Sequence, residues 1–139
     1  MGFWLEIITG EKVLFQGEVD TVIAPATDGE IGVLPHHAAV MTTLDPGELR
    51  YRVGAEETHY VVHGGFMDIR GDRVVVLADA AENAREIDEV RAEEAVRRAE
   101  DRLTSQDTEL NLERVLASIR RAQLRVHVVR RRVRRIPGA

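Results

Sequence analysis

The sequence predicts an α+β fold, in which a strand-rich N-terminal half is followed by an antiparallel hairpin of two C-terminal helices. Before about residue 80, glycine, proline and short β-branched runs dominate, which is typical of the many short strands of a β-sandwich or barrel. From Asp88 to Thr104 there is neither glycine nor proline, and apolar residues recur at helical spacing. The two textures meet near residues 80–86.

Short apolar runs separated by turn signals define the strand candidates of the N-terminal half. These candidates are residues 3–8, 19–24, 40–44, 48–53, 58–62 and 74–78. Residues 10–12 are expected to form a hairpin-like break. Residues 45–47 and 70–72 are predicted to be tight turns, because proline presets φ and glycine tolerates positive φ. Residues 29–37 are expected to form a loop that ends at its proline.

The C-terminal half contains two amphipathic helix candidates. In the first, Asp88 is a good N-cap, and an apolar stripe follows at Ala92, Val96, Ala99 and Leu103. The polar break at residues 104–107 contains a possible N-cap for the second helix. The stripe of that helix comprises Leu112, Val115, Ile119, Ala122, Val126, Val129 and Val133. Because alanine is frequent on both inner faces, the hairpin buries little apolar area and is expected to be detachable.

Charge is distributed unevenly along the chain. The formal net charge is −5, yet residues 114–139 contain nine arginines and no carboxylate. A basic tail of this kind indicates a nucleic acid, an anionic membrane surface, or an acidic protein or nucleotide as its partner. No aromatic residue follows Phe66 to stack on bases, and the apolar stripe is mostly valine instead of the Trp, Phe or Leu of membrane-surface helices.

Several kinds of site are not expected from the composition. The chain has no cysteine, which excludes disulfides, thiolate metal sites and thiol catalysis. The longest uncharged run, residues 31–44, is well short of the roughly 20 apolar residues that span a membrane. His36 and His37 point to opposite faces of an extended chain and have no nearby acid, so no metal site is expected. His59, His63 and His127 show no triad spacing, and no catalytic residue is predicted.

A set of glycine- and proline-containing motifs carries a family resemblance. The stretch Gly-Glu-Ile-Gly-Val-Leu-Pro-His-His at residues 29–37 follows Pro25-Ala26 and precedes Pro46-Gly47-Glu48-Leu49 and Gly64-Gly65-Phe66. In this order the motifs resemble the epsilon subunit of F-type ATP synthases, over essentially the whole chain. The resemblance implies an N-terminal antiparallel β-sandwich over residues 1–84 and a regulatory helical hairpin over residues 85–139.

The function implied by this resemblance is that of a non-catalytic rotor subunit in the central stalk. Such a subunit contacts the gamma subunit, the ring of c subunits and the alpha/beta catalytic head. It couples rotation to ATP synthesis at the cytoplasmic face of the bacterial cell membrane, and its C-terminal helices oppose ATP hydrolysis. The alternative is a β-sandwich adaptor whose basic C-terminal helix binds nucleic acid or anionic lipid.

Residues 87–92, Ile-Asp-Glu-Val-Arg-Ala, form a second motif. On the residues alone this is a capped helix start, but it also resembles the nucleotide-binding motif of bacterial epsilon subunits. The resemblance implies regulatory ATP binding by Glu82, Ile87, Asp88, Arg91, Ala92, Arg98, Arg121 and Arg125. Arginine can hold phosphates with forked hydrogen bonds, and a carboxylate can accept one from the adenine amino group or a ribose hydroxyl. No phosphate-binding Gly-Lys loop is present, so ATP is expected as a regulatory ligand and no cofactor is required.

The end of the basic tail has its own implied partner. The resemblance places an acidic surface of the catalytic beta subunits within reach of the last helix when that helix extends. The residues expected to contact this surface are Arg130, Arg131, Arg132, Arg134 and Arg135.

Overall fold

The computed structural model describes residues 2–104 and 112–135, with side chains described for residues 2–103 and 112–131. Within these ranges the strands are β1 (Phe3–Ile8), β2 (Val13–Val19), β3 (Thr21–Ala26), β4 (Gly29–Val33), β5 (Val40–Val53), β6 (Glu56–Arg70), β7 (Arg73–Ala78) and β8 (Ala81–Asn83). A 3-10 turn (Ala84–Glu86) and the helices α1 (Glu89–Thr104) and α2 (Leu112–Arg135) follow. The chain divides into two compact units, Met1–Asn83 and Ala84–Ala139.

The strands of the first unit form one hydrogen-bonded sheet that folds over on itself. The strand order is β2-β1-β7-β6-β5-β3-β4, and β8 pairs with β6. Alternate residues of β1, β3, β5, β6 and β7 point into one shared apolar core, as expected for facing layers. The predicted β-sandwich is therefore confirmed. Its strand pairs are antiparallel except for β1 and β7, which run parallel within the described sheet.

The core of the sandwich consists of large, fully buried aliphatic side chains, among which Leu5, Ile7, Met67 and Ile69 have no exposed surface. Burial of a side chain of this size contributes about 1.5–3 kcal/mol relative to leaving it in water. Three aromatic rings, those of Phe15, Tyr51 and Tyr60, contact one another in a row. Phe15 and Tyr51 have ring centroids 4.3 Å apart, within the range of favourable ring contacts.

Three parts of the strand prediction are wrong. Residues 45–47 are not a turn, because β5 continues through them and pairs Pro46 with His63 and Gly47 with Val62. The β3–β5 register shifts between Ile23 and Ala26, on either side of Pro25, which has no N–H to donate to the ladder. Residues 29–33 form the edge strand β4 instead of a loop, and β2 was not predicted at all. Cross-strand pairing overrides the local glycine and proline signals in all three places.

The glycine pair in β6 marks the point where this strand changes partner. Before the pair β6 bonds to β8, and from Gly65 onward it bonds to β7. Gly64 and Gly65 have φ values of 99° and 133°, which side chains other than glycine rarely adopt. A Cβ on Gly65 would lie 2.1 Å from the carbonyl oxygen of Leu77. Only glycine fits this crossing of β6 and β7.

In the second unit the two helices form the predicted antiparallel hairpin. At one end Ala99 packs with Val115 and Ile119, and at the other end Arg130 reaches Glu89 and Glu93. The N-cap of α1 is confirmed, since Asp88 Oδ1 accepts the backbone N–H of Arg91 at 3.2 Å. The described residues of the two predicted stripes are buried except for Val96, which is half-buried, and for Leu103 and Leu112, which are exposed at one end. The side chain of Val133 and the predicted second N-cap lie outside the described residues.

Candidate functional site

The helical hairpin has two sides that differ in chemistry. One side carries a groove of about 440 Å³ between the helices, lined by Glu93, Val96, Gln123, Val126, His127, Arg130 and Arg131. The opposite side carries the arginines predicted to bind nucleotide, and we call it the arginine face. At 100° per residue around the α1 axis, Arg91 and Arg98 point about 140–160° away from Glu93 of the groove. Around the α2 axis, Arg121 and Arg125 point about 140–180° away from Arg130 of the groove.

Both helices contribute arginines of this face to the predicted nucleotide site. Arg91 and Arg98 are exposed on α1. Arg121 is exposed on α2 and donates to Ser118 Oγ of its own helix at 3.3 Å, while Arg125 is half-buried. Cations from two elements that share one side can bind one polyphosphate, provided that they lie at similar heights along the hairpin.

The register of the hairpin determines those heights. Arg130 lies opposite Glu89 and Glu93, at the first turns of α1. With a rise of 1.5 Å per residue, Arg125 and Arg121 lie about 7.5 Å and 13.5 Å from Arg130 along α2. In an antiparallel pair these two arginines are therefore level with the middle of α1, near Arg98. The four arginines form a row along the hairpin, with Asp88 near one end.

The remaining predicted residues have other surroundings. Ile87 is 7% exposed and Ala92 is fully buried, so both residues of the motif serve packing. The Asp88 carboxylate caps α1 and is also exposed to solvent. Glu82 is half-buried in β8, which belongs to the first unit. Only the charged members of the motif can contact a ligand.

Arg130, predicted to contact a partner protein, bonds within its own hairpin. Its Nε donates to Glu89 Oε1 at 3.1 Å, and its Nη2 donates to Glu93 Oε1 at 2.6 Å. The hydrogen bond with Glu93 and then that with Glu89 raise the pKa of the Arg130 guanidinium above its ordinary value. Sequence reasoning missed this contact, because the partners are 41 and 37 residues apart. Arg131 lines the groove, and the side chains of Arg132, Arg134 and Arg135 lie outside the described residues.

The β-sandwich contains a buried polar cluster that the sequence analysis did not predict. His59 is 2% exposed, with Nε2 3.1 Å from Glu57 Oε1 and Nδ1 3.4 Å from Glu48 Oε2. Arg50 Nη1 lies 3.2 Å from Glu48 Oε1 and 3.0 Å from Glu30 Oε2. The alternation of Glu48 and Arg50 on β5 could have indicated this cluster, because it puts both charges on one face of the strand. The network holds these side chains in place across β5 and β6.

The described residues contain no group of three or more potential metal ligands. His36 adopts a φ of 65° and its Nδ1 is 3.8 Å from Asp72 Oδ1, while His37 Nδ1 is 2.8 Å from the Ala38 carbonyl oxygen. Neither described helix is long and apolar enough to cross a membrane.

Comparison with known proteins identifies both units. Residues 3–84 match the family described as ATP synthase, Delta/Epsilon chain, beta-sandwich domain, and residues 85–130 match its long alpha-helix domain. The chain is 49% identical over 129 residues to the ATP synthase epsilon chain of Dehalococcoides mccartyi, which covers 92% of each chain. It is 45% identical to that of Desulforamulus reducens, over 88% of this chain and 92% of the relative.

A solved structure agrees on the fold. A chain in the cryo-EM structure of the Euglena gracilis mitochondrial ATP synthase (OSCP/F1/c-ring) matches with a TM-score of 0.70 and 22% identity, over 93% of this chain and 78% of that chain. The resemblance stated from the glycine and proline motifs is confirmed by the much higher identity of the bacterial relatives. The chain therefore belongs to the ATP synthase delta/epsilon chain family.

Proposed function

We propose that this chain is the epsilon subunit in the central stalk of a bacterial, proton-translocating F-type ATP synthase. As an epsilon chain it is a non-catalytic subunit of the complex. The observation that carries the proposal is the match of both family domains, in order, over residues 3–130. This match favours the stalk function over an adaptor that binds nucleic acid or anionic lipid. Its place would be the cytoplasmic face of the cell membrane, where it couples rotation to ATP synthesis.

The β-sandwich would contact the gamma subunit and the ring of c subunits. Support comes from the outer face of the sheet, where Phe66 and Leu77 lie side by side across β6 and β7. They are 51% and 50% exposed, and adjoining apolar side chains of this kind are typical of protein contacts. Affinity purification of the tagged chain from its source cells tests the proposal. The gamma and beta subunits should co-purify, and their absence would contradict the stalk function.

The helical hairpin would regulate the enzyme. In the folded state α1 and α2 pack together, and in an extended state α2 would reach the alpha/beta catalytic head and oppose ATP hydrolysis. Support comes from the small apolar contact between the helices, formed mainly by alanine and valine side chains together with Ile119. In the extended state the tail arginines would bind an acidic surface of the beta subunits, and these are Arg130, Arg131, Arg132, Arg134 and Arg135. Deletion of residues 114–139 should raise ATP hydrolysis by the assembled complex, whereas unchanged hydrolysis would contradict the brake.

ATP would favour the folded state by binding to the arginine face, with Asp88 as a candidate contact for the adenine or ribose. Support comes from the row of four arginines shared by the two helices. Isothermal titration calorimetry of the isolated chain should detect ATP binding. Arg91→Ala and Arg125→Ala should each weaken it about tenfold or more, since a hydrogen bond to a charged group contributes roughly 1.5–3 kcal/mol.

Two arginines that point away from the arginine face provide matched controls for this titration. Arg97 on α1 and Arg120 on α2 are exposed, and their substitution by alanine removes the same charge. Arg97→Ala and Arg120→Ala should leave the affinity nearly unchanged. Equal losses in all four variants would indicate a general charge effect. Absence of any binding heat would remove the ATP function and leave the stalk function intact.

A further inference from the structure

We infer that Arg130 is an electrostatic latch, which holds the hairpin closed by binding Glu89 and Glu93 and is released when the helices separate. The inference rests on the proposed regulatory function and adds the contact that would set the closed state. It also changes the role of Arg130, which becomes a group with two mutually exclusive partners.

The geometry is that of one cation shared between two anions on another helix. Glu89 and Glu93 are four residues apart, so both project from one face of α1 and repel each other when unpaired. Two different nitrogens of the planar Arg130 guanidinium reach them, Nε at 3.1 Å and Nη2 at 2.6 Å. A lysine could not reproduce this forked arrangement.

The position of the contact explains why it can act as a latch. It joins the first two turns of α1 to a late turn of α2. This is the end of the hairpin that lies opposite the residues joining the two helices. The apolar residues nearby, Ala92, Val126 and Val129, are small and bury little area. An ion pair therefore contributes a larger share of the closing free energy here than it would in the sandwich. Arg121, in contrast, bonds to Ser118 of its own helix.

The latch couples closure to partner binding. Opening the hairpin frees one cation at the start of the basic run Arg130-Arg131-Arg132 and exposes two carboxylates on α1. One guanidinium cannot bind Glu93 and an external acid at once. Closure of the hairpin and binding of the external acid therefore weaken each other by the same factor. The hairpin thus keeps part of its partner-binding charge occupied while it is closed.

Near neutral pH, ionic strength is the appropriate probe of the latch. The pKa of Arg130 is raised in the folded chain. The guanidinium charge is therefore lost only as the pH rises through this raised value, far from neutral pH. Salt, in contrast, screens exposed ion pairs, with a Debye length of about 8 Å at 0.15 M.

The closed fraction can be measured in the full chain by distance measurements between two spin labels. The chain has no cysteine, so labels at Val90→Cys and His127→Cys report on this end of the hairpin alone. Arg130→Gln and Glu93→Gln should each raise the ratio of open to closed molecules about three- to fivefold, the upper range for an exposed ion pair. Arg120→Gln and Glu94→Gln are the matched controls and should change it little. Added salt should open the parent chain and have a smaller effect on Arg130→Gln.

A charge reversal keeps the test independent of any loss of helix stability. Arg130→Glu should open the hairpin, and its combination with Glu89→Arg and Glu93→Arg should close it again. The latch is refuted if Glu93→Gln and Glu94→Gln behave alike or if the reversed charges fail to restore closure. In the assembled synthase, Glu93→Gln should strengthen inhibition of ATP hydrolysis, because it frees Arg130. If deletion of residues 114–139 left ATP hydrolysis unchanged, the proposed brake would be refuted, but the spin-label distances in the isolated chain would still test the latch. The failure of the proposed function and the failure of the latch are therefore distinguishable.

Discussion

In the β-sandwich the fully buried side chains include several large ones, among them Leu5, Leu49 and Met67. Among the described residues of the helical hairpin the buried side chains are alanines, valines and two isoleucines, and the ion pairs of Arg130 with Glu89 and Glu93 add to their contact. Apolar burial scales with area, so the sandwich gains far more free energy per residue than the hairpin. This difference suits the proposed function, in which the sandwich is a fixed attachment and the hairpin changes conformation.

The largest expected effect is at the crossing of β6 and β7. Gly65→Ala would force a Cβ to within 2.1 Å of the Leu77 carbonyl oxygen, at a φ that alanine disfavours. We expect a loss of about 3–5 kcal/mol in the free energy of unfolding of the sandwich, measured by urea titration. Gly10→Ala is the control, because a Cβ there meets nothing within 4 Å. A similar stability of the two variants would show that the sheet can shift at this crossing.

The same substitution in each unit tests whether the two differ in stability. Val76 in β7 is fully buried and Val129 in α2 is 4% exposed. Trp4, the only tryptophan, lies in β1, so its fluorescence reports on the sandwich while far-ultraviolet circular dichroism at 222 nm reports mainly on the helices. Val76→Ala should lower the unfolding temperature seen by Trp4, at a cost of about 1–3 kcal/mol. Val129→Ala should lower the unfolding temperature seen by circular dichroism more than that seen by Trp4 fluorescence. If both signals shifted equally in both variants, the two units would unfold as one cooperative unit.

The outer face of the sandwich offers a test of its role as an attachment. Phe66→Glu introduces a charge beside Leu77 on an exposed surface, so it should leave folding nearly intact and weaken association with gamma and the c ring about tenfold. Val53→Glu is the control, since Val53 is similarly exposed at the end of β5. The retained fraction of this chain in the purified synthase measures the effect. Equal retention of both variants would show that the interface lies on another face of the sandwich.

The smallest expected effect separates capping from ligand binding at Asp88. Asp88→Ala should destabilise α1 by about 0.5–2 kcal/mol, because the Arg91 N–H loses its acceptor. Asp88→Asn should retain most of that stability. If the carboxylate also contacts ATP, the asparagine variant should still bind ATP more weakly by calorimetry. Unchanged affinity in Asp88→Asn would assign Asp88 to the cap alone.

Local patterns were sufficient for α1, for the pairing of the helices and for β1 and β7. In these elements the residues that determine the conformation lie within a few positions of one another, as Asp88 and Arg91 do. The prediction of a turn at Pro46 and Gly47 was wrong because the pairing of β5 with β6 holds the chain extended there. The edge strand β4 was missed for the same reason, since its two glycines indicate a loop until β3 supplies the hydrogen bonds.

The sequence by itself determined the division into a strand-rich and a helical half, the cap and apolar stripe of α1, and the family to which the motifs point. Periodicity, capping and turn chemistry act over a few residues and can therefore be read from neighbours in the chain. Only the tertiary structure decided the parallel pairing of β1 with β7, the burial of His59 among carboxylates, and the contact of Arg130 with Glu89 and Glu93. Each of these depends on the register between distant segments, which is set by the packing of whole elements.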